Sequence, residues 1–81
     1  MKTKKESEKV RHLKEELLSI IEKSMEAESI SQGELARRLG AQRTNINNAM
    51  RGKIPVTLDF LIKMADAIGL DVEMKVRKLK V

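Results

Sequence analysis

Two short helical segments joined by three residues constrain the fold of this chain more than any other sequence feature. Ser31 is a favourable helix N-cap, and Glu34 three residues later completes the Ser-x-x-Glu capping box. These signals predict a helix over residues 32–39, and Gly40 predicts its end because glycine readily adopts the left-handed conformation. Helical spacing of apolar residues soon resumes and predicts a helix over residues 43–50. Two short helices joined by so sharp a turn form a helix-turn-helix.

The apolar residues of this unit are placed to pack its two helices against each other. Ala36 is small at the predicted crossing point, so the two backbones can approach closely. The side chains predicted to point inward are Leu35, Leu39, Ile46 and Ala49. The alternative is a generic helical hairpin in a bundle, which the agreement of spacing, glycine and small residues disfavours.

Two further helices flank this unit and complete a mainly α fold. Apolar residues at helical spacing predict a long amphipathic first helix over about residues 7–28. Its predicted buried stripe consists of Val10, Leu13, Leu17, Ile20, Ile21 and Met25. Thr57 is the predicted N-cap of a fourth helix over about residues 58–68. The sequence therefore predicts a four-helix domain over residues 7–70, preceded by a flexible basic arm over residues 1–6.

The last segment, residues 71–81, changes to a period of two. Val72, Met74 and Val76 alternate with charged residues, which predicts a β-strand followed by a basic tail. A lone strand is not stable in water, and the sequence offers no second strand to pair with it. We therefore expect it to pair with the same strand of a second molecule, with these three residues in a homodimer interface. Two alternatives remain. The segment is a charged tail without structure, or the dimer forms through the fourth helix.

The composition disfavours several classes of function. Without Cys, the chain has no disulfide and no thiolate nucleophile or metal ligand. Its single His12 lies on a lysine-rich helix with no acid–base partner, and its glycines do not form a phosphate-binding loop. No apolar run approaches the roughly 20 residues of a membrane span, and no signal peptide is recognisable. We expect a cytoplasmic binding protein that is not an enzyme, takes no cofactor or metal and has no membrane partner.

The positive charge is concentrated in the helix-turn-helix. The chain has 17 Lys plus Arg against 12 Asp plus Glu, a formal net charge of +5. Residues 31–53 carry five basic residues against Glu34 alone, and so hold a net charge of +4. An almost unopposed basic segment on a compact helical motif indicates a polyanionic partner. The side chains predicted to neutralise phosphates are Arg37, Arg38, Arg51 and Lys53.

The outward face of the third helix carries side chains of the kind that bind base edges. Its helical wheel leaves Thr44, Asn47, Asn48 and Arg51 outward, with Arg43 at the N-terminal edge. Asn can form two hydrogen bonds with adenine, and Arg can form two with guanine. Asn is also a poor helix former, so three of them in eight residues indicate a role other than stability. The alternative is a solvated surface that polar residues merely decorate.

These motifs resemble a known class of DNA-binding protein. Residues 31–53, SQGELARRLGAQRTNINNAMRGK, resemble the helix-turn-helix of the Cro and phage-repressor class, the XRE-like regulators. Residues 30–77, ending in IGLDVEMKVR, resemble more narrowly the HigA-type antitoxins, which join that unit to a closing helix and a C-terminal strand. Two positions depart from the pattern: Gln42 stands where Ser or Thr commonly caps the third helix, and Ala49 is smaller than the usual core residue.

The resemblance implies roles for individual residues. It places Gln32 against a phosphate at the start of the second helix. The positions implied to reach base edges are Arg43, Thr44 and Asn48, and those implied to meet the DNA backbone beyond them are Arg51 and Lys53. Asn47 is assigned to a base by geometry alone.

We expect a sequence-specific double-stranded DNA-binding transcriptional regulator, a repressor, that acts as a homodimer on a palindromic operator. The resemblance to HigA-type antitoxins implies an alternative, in which the protein also binds and neutralises a small ribonuclease toxin. The long first helix has more apolar positions than one face needs. Leu18 therefore belongs either to the edge of the core or to a surface exposed to such a partner.

Overall fold

Four α-helices account for most of the chain. The computed structural model describes residues 7–52 and 56–78. Helix α1 spans Glu8–Glu28, α2 spans Gln32–Leu39, α3 spans Arg43–Met50 and α4 spans Leu58–Ala67. Helices α2 and α3 have the predicted bounds, whereas α1 begins one residue later and α4 ends one residue earlier than predicted. The predicted basic arm, Lys53 and the end of the basic tail lie outside the described residues.

Three of the four helices begin at a hydroxyl side chain. In each, the side-chain oxygen accepts a hydrogen bond from the backbone N–H three residues later, at 3.0–3.1 Å. The three capping residues are Ser7, Ser31 and Thr57. Helix α3 differs because its N-cap, Gln42, makes no side-chain capping bond.

Three helix ends share one backbone hydrogen-bond pattern. At each, a residue with positive φ is followed by an N–H that donates to a carbonyl five residues earlier, as in a Schellman motif. Gly40 and Gly69 occupy the positive-φ position after α2 and α4, where φ is 68° and 86°. After α1 the same position is Ser29, with φ of 57°, the only non-glycine residue with positive φ in the described segments. Its N–H and that of Ile30 satisfy carbonyls of the last turn of α1.

All four helices contribute to one small core. Helix α2 packs against α3 and α4, and α1 packs against α4. The cluster of mutually packed buried residues comprises Ile21, Met25, Leu35, Ala36, Ile46, Leu61, Met64, Ala65 and Ile68. The predicted inward residues of the helix-turn-helix agree with this: Ala49 is also buried, and Leu39 is half-buried against the core.

Three of the six residues in the predicted buried stripe of α1 are exposed. Val10, Leu13 and Ile20 are exposed, whereas Ile21 and Met25 are buried. Two reasons account for this. Ile20 is turned about 100° around the helix from the buried Ile21, so it faces away from the core. In addition, at 1.5 Å per residue, α1 is about 32 Å long and its partner α4 is only about 15 Å long. Helix α4 therefore covers only part of α1, and an amphipathic pattern by itself does not say where the covering helix ends.

The structure does not form the predicted C-terminal strand. Residues 71–78 are irregular, with Val72 half-buried against the core. Met74 and Val76 are 77% and 84% exposed. A strand is defined by backbone hydrogen bonds to a neighbouring strand, and the described part of this chain contains none to supply them. The dimerisation role predicted for Val72, Met74 and Val76 therefore has no support from the structure of the single chain.

Candidate nucleic-acid interface

Helix α3 is fixed to the domain through one face. Ile46 is fully buried and Ala49 is 1% exposed, and Met50 is half-buried against the core. The turn before α3 begins at Gly40, whose positive φ would strain any residue with a β-carbon. Leu35 on α2 is fully buried in the same cluster as Ile46. This packing leaves the opposite face of α3 directed away from the core.

The four residues predicted to contact bases lie together on α3. Arg43 and Thr44 are exposed in its first turn, and Asn47 and Asn48 are half-buried in its second turn. Arg51 is exposed immediately after the end of α3. These five side chains bring guanidinium, amide and hydroxyl groups to a single helix, and such groups can bind base edges and phosphates.

The first turn of α2 lies beside the first turn of α3. A β-carbon placed on Gly33 would lie 3.9 Å from Cδ of Arg43, so the aliphatic part of Arg43 runs next to α2. Gln32, which precedes Gly33 and is the first residue of α2, is half-buried. The structure thus brings the predicted phosphate contact of Gln32 and the predicted base contact of Arg43 to the same end of the helix-turn-helix.

Glu34 binds the two arginines of α2. Its carboxylate accepts hydrogen bonds from the guanidinium of Arg37 and from Nε of Arg38, the latter at 2.9 Å. The capping box predicted a different partner, the backbone N–H of Ser31, but only the Ser31 half of that box is formed. The Arg37 side chain remains 75% exposed, so its ion pair adds little stability and solvent or a phosphate can compete with Glu34.

Arg38 also joins α2 to the end of α4. Its Nη1 donates a hydrogen bond of 2.9 Å to the carbonyl of Ala67, the last residue of α4. The last carbonyls of a helix have no partner within the helix, and Arg38 satisfies one of them. No local pattern in the sequence predicts this contact, because 29 residues separate the two positions. The phosphate contact predicted for Arg38 stays a prediction, but its guanidinium already holds two helices together.

Arg43 and Arg51, the two described cations beside α3, have no acidic partner among the described residues. In the part of the chain that the structure describes, the ion pairs of the helix-turn-helix are those of Glu34 with Arg37 and Arg38. Arg43 and Arg51 therefore keep uncompensated charge on the α3 surface. Lys53, the remaining predicted phosphate contact, lies outside the described residues. The charge of this surface suits an anionic ligand.

Helix α3 has little intrinsic stability. It has eight residues, and three of these are Asn, each costing about 0.5 kcal/mol relative to Ala. Helices this short are not stable alone in water, so α3 depends on its packing. Because Gln42 makes no side-chain capping bond, α3 also lacks the stabilisation that such a hydrogen bond supplies.

The missing cap predicts a stabilising substitution. We expect Gln42→Ser to raise the free energy of unfolding by about 1 kcal/mol, because a serine hydroxyl can accept a hydrogen bond from the first turn of α3. For a domain of this size the midpoint of thermal unfolding should rise by about 4–8 °C. Gln42→Ala is the matched control, and it should leave the midpoint near that of the parent chain. An equal rise in both variants would contradict the capping explanation.

Comparison with known proteins agrees with this arrangement. A family described as a helix-turn-helix domain matches residues 2–77. The chain therefore belongs to the helix-turn-helix domain family, and the match extends over all four helices. Neither the curated proteins nor the solved structures include a match to this chain. No helix within the described ranges has the length and apolarity needed to cross a membrane.

Proposed function

We propose that this protein is a sequence-specific double-stranded DNA-binding transcriptional regulator of the XRE-like type, acting as a repressor in the cytoplasm. The observation that carries the proposal is the surface of α3: its apolar face is buried through Ile46 and Ala49, and its polar face carries Arg43 and Thr44 in solvent. A helix held in this way can enter a major groove with its first residues against base edges. The proposed role is binding without catalysis and without a cofactor.

The polar face of α3 offers distinct partners for distinct bases. Arg43 can form two hydrogen bonds with O6 and N7 of guanine, and either Asn47 or Asn48 can pair in the same way with adenine. Thr44 can hydrogen-bond a base edge or place its methyl group against a thymine methyl. These contacts would supply sequence discrimination.

Residues around α3 are proposed to contact the DNA backbone. Gln32 at the start of α2 and Arg51 after α3 lie at opposite ends of the helix-turn-helix surface. Arg37 is exposed on α2, and Lys53 follows Arg51 in the sequence. Such contacts set position and affinity without carrying sequence information. Arg38 is the exception in this set, because we propose that it acts mainly through its bond to the end of α4.

We propose further that the protein acts as a homodimer. A twofold pair of molecules would place two copies of α3 in successive turns of the major groove, about 34 Å apart, on a palindromic operator. Bound at its own promoter, such a dimer would block transcription.

A footprint on the DNA upstream of its own gene tests this function. We expect protection of two half-sites about one helical turn apart, together with a mass of two chains on the bound duplex. Absence of any protected sequence, or equal affinity for that duplex and for duplexes of random sequence, would overturn sequence-specific binding. Protection of a single asymmetric site by one chain would overturn the homodimer and leave DNA binding intact.

Substitution of Arg43 separates base recognition from backbone binding. We expect Arg43→Ala to weaken binding to the protected duplex by about 1–3 kcal/mol, roughly 5- to 150-fold, and to relax the preference at one base position. Arg51→Ala is the comparison, and it should weaken binding to all sequences alike. Fluorescence anisotropy on the protected duplex and on single-base variants measures both effects. Unchanged base preference in the Arg43 variant would remove Arg43 from the recognition set.

A HigA-type antitoxin role is the second candidate. The observation that favours it is the exposed apolar surface of α1, which a small ribonuclease could cover. Leu18 does not belong to that surface, because it is half-buried against the core. A co-transcribed gene for a small basic ribonuclease, and purification of the two proteins as one complex, would support this role.

A further inference from the structure

Helix α1 carries an exposed apolar stripe. Val10 is 39% exposed, Leu13 is 54% exposed and Ile20 is 48% exposed. Leu17 lies between them and is half-buried. The spacing of these four residues is three, four and three, which is the a and d pattern of a two-helix seam. We call these four residues the α1 seam.

The α1 seam is separate from the face that α1 gives to its own core. Ile21 and Met25 are buried in the core cluster. At 100° per residue, their direction differs from that of the seam by roughly 80° around the helix. Every described residue from 7 to 13 is exposed, so the domain leaves the first turns of α1 uncovered. The core covers Ile21 and Met25 and packs against one side of Leu17, whereas Val10, Leu13 and Ile20 stay exposed among the described residues.

The α1 seam is complementary to itself in one orientation. If a second α1 lies antiparallel across a twofold axis, Val10 faces Ile20 of the second copy and Leu13 faces Leu17 of the second copy. Antiparallel two-helix seams pair a and d positions in this way, so all four residues find apolar partners in the same register. A twofold axis requires such self-complementarity, because each copy offers the same surface.

The charge of the chain favours the same orientation. Within α1, residues 8–15 carry a net charge of +1, and residues 16–28 carry a net charge of −3. An antiparallel pair places residues 8–15 of each copy along the acidic C-terminal part of α1 in the other copy. A parallel pair would place basic against basic and acidic against acidic, which like-charge repulsion disfavours.

We propose that the α1 seam is the homodimer interface, formed with α1 of a second copy in antiparallel orientation. This inference rests on the homodimer of the proposed function and assigns its interface to α1 in place of the C-terminal segment. The seam has four apolar residues on a preformed helix. The C-terminal segment exposes Met74 and Val76 on irregular backbone, and would first have to order as a strand.

Sedimentation equilibrium on three chains tests the interface. The parent chain should sediment at twice its mass of 9.2 kDa. Leu13→Glu should sediment as a single chain with unchanged helical circular dichroism, because Leu13 is exposed and makes no core contact. Val76→Glu is the matched control on the C-terminal segment, and it should remain a dimer. A monomeric parent chain, a dimeric Leu13→Glu variant or a monomeric Val76→Glu variant would overturn the proposal.

Disulfide trapping tests the orientation. The chain has no Cys, so introduced cysteines are the only thiols. Under mild oxidation, the double variant Val10→Cys with Ile20→Cys should form covalent dimers, whereas Val10→Cys alone should not. A covalent dimer of the single Val10→Cys variant would indicate parallel helices and contradict the antiparallel pair. If neither the double variant nor the Val10→Cys variant forms a covalent dimer, α1 does not pair with α1 of a second copy.

A DNA readout separates failure of this inference from failure of the proposed function. On a duplex with one protected half-site, Leu13→Glu should bind as the parent chain does. On the full palindromic duplex, the Leu13→Glu variant should bind more weakly than the parent chain does. If neither the parent chain nor the Leu13→Glu variant binds either duplex, the proposed DNA recognition is wrong. If both bind the palindrome equally tightly, α1 does not make the functional dimer.

Discussion

Ile46→Ala is expected to cost about 2–5 kcal/mol of unfolding free energy, a large fraction of the stability of a small domain. Ile46 is the only large side chain of α3 that is fully buried. Its removal leaves a cavity between α3 and the rest of the core, and α3 has neither a side-chain cap nor a favourable composition to compensate. Urea unfolding followed by circular dichroism measures the loss.

A graded series at the same position checks the physical explanation. Ile46→Val removes one methyl group and should cost about 0.5–1.5 kcal/mol. If packing of this side chain holds α3, the loss should increase from the valine to the alanine variant. A loss below about 1 kcal/mol for Ile46→Ala, outside the range for such truncations, would mean that α3 is held by other contacts.

The second large effect is the dependence of DNA affinity on salt. With about six phosphate contacts per dimer, the logarithm of the affinity should fall against the logarithm of salt concentration with a slope of roughly −5. Between about 50 and 200 mM salt the affinity should therefore fall roughly a thousandfold. Anisotropy titrations at a series of salt concentrations measure the slope.

Variants of single cations divide the salt effect among residues. Arg51→Ala should make the slope less steep by about one for each lost phosphate contact. Arg37→Ala should have a smaller effect, because the Arg37 guanidinium is already paired with Glu34. An affinity that does not change with salt would contradict electrostatic binding to DNA by this surface.

Local signals in the sequence predict much of this fold. The helix-turn-helix has its predicted bounds because short-range chemistry sets both ends of α2: the Ser31 hydroxyl caps its start and Gly40 adopts positive φ at its end. Such bonds join residues only a few positions apart, so the sequence displays both partners. The predicted inward positions of α2 and α3 agree for the same reason, because helical periodicity determines which residues share a face.

Long-range contacts decided what the sequence could not. Arg38 looks like any other surface cation until its bond to the carbonyl of Ala67 is seen. The alternation of Val72, Met74 and Val76 predicts a strand only if a second strand is present, and the described residues of one chain supply none. The predicted site residues on α3 are brought together by the structure, whereas their contacts with DNA remain predictions.

By itself the sequence determined where α2 begins and ends, because capping acts within one helical turn. It also determined which side of α3 is polar, because periodicity acts within two turns. The tertiary structure decided how much of α1 the core covers. That depends on the length and position of α4, a helix thirty residues further along the chain. The shorter α4 leaves the first turns of α1 uncovered, and Ile20 is exposed because it is turned about 100° from the buried Ile21.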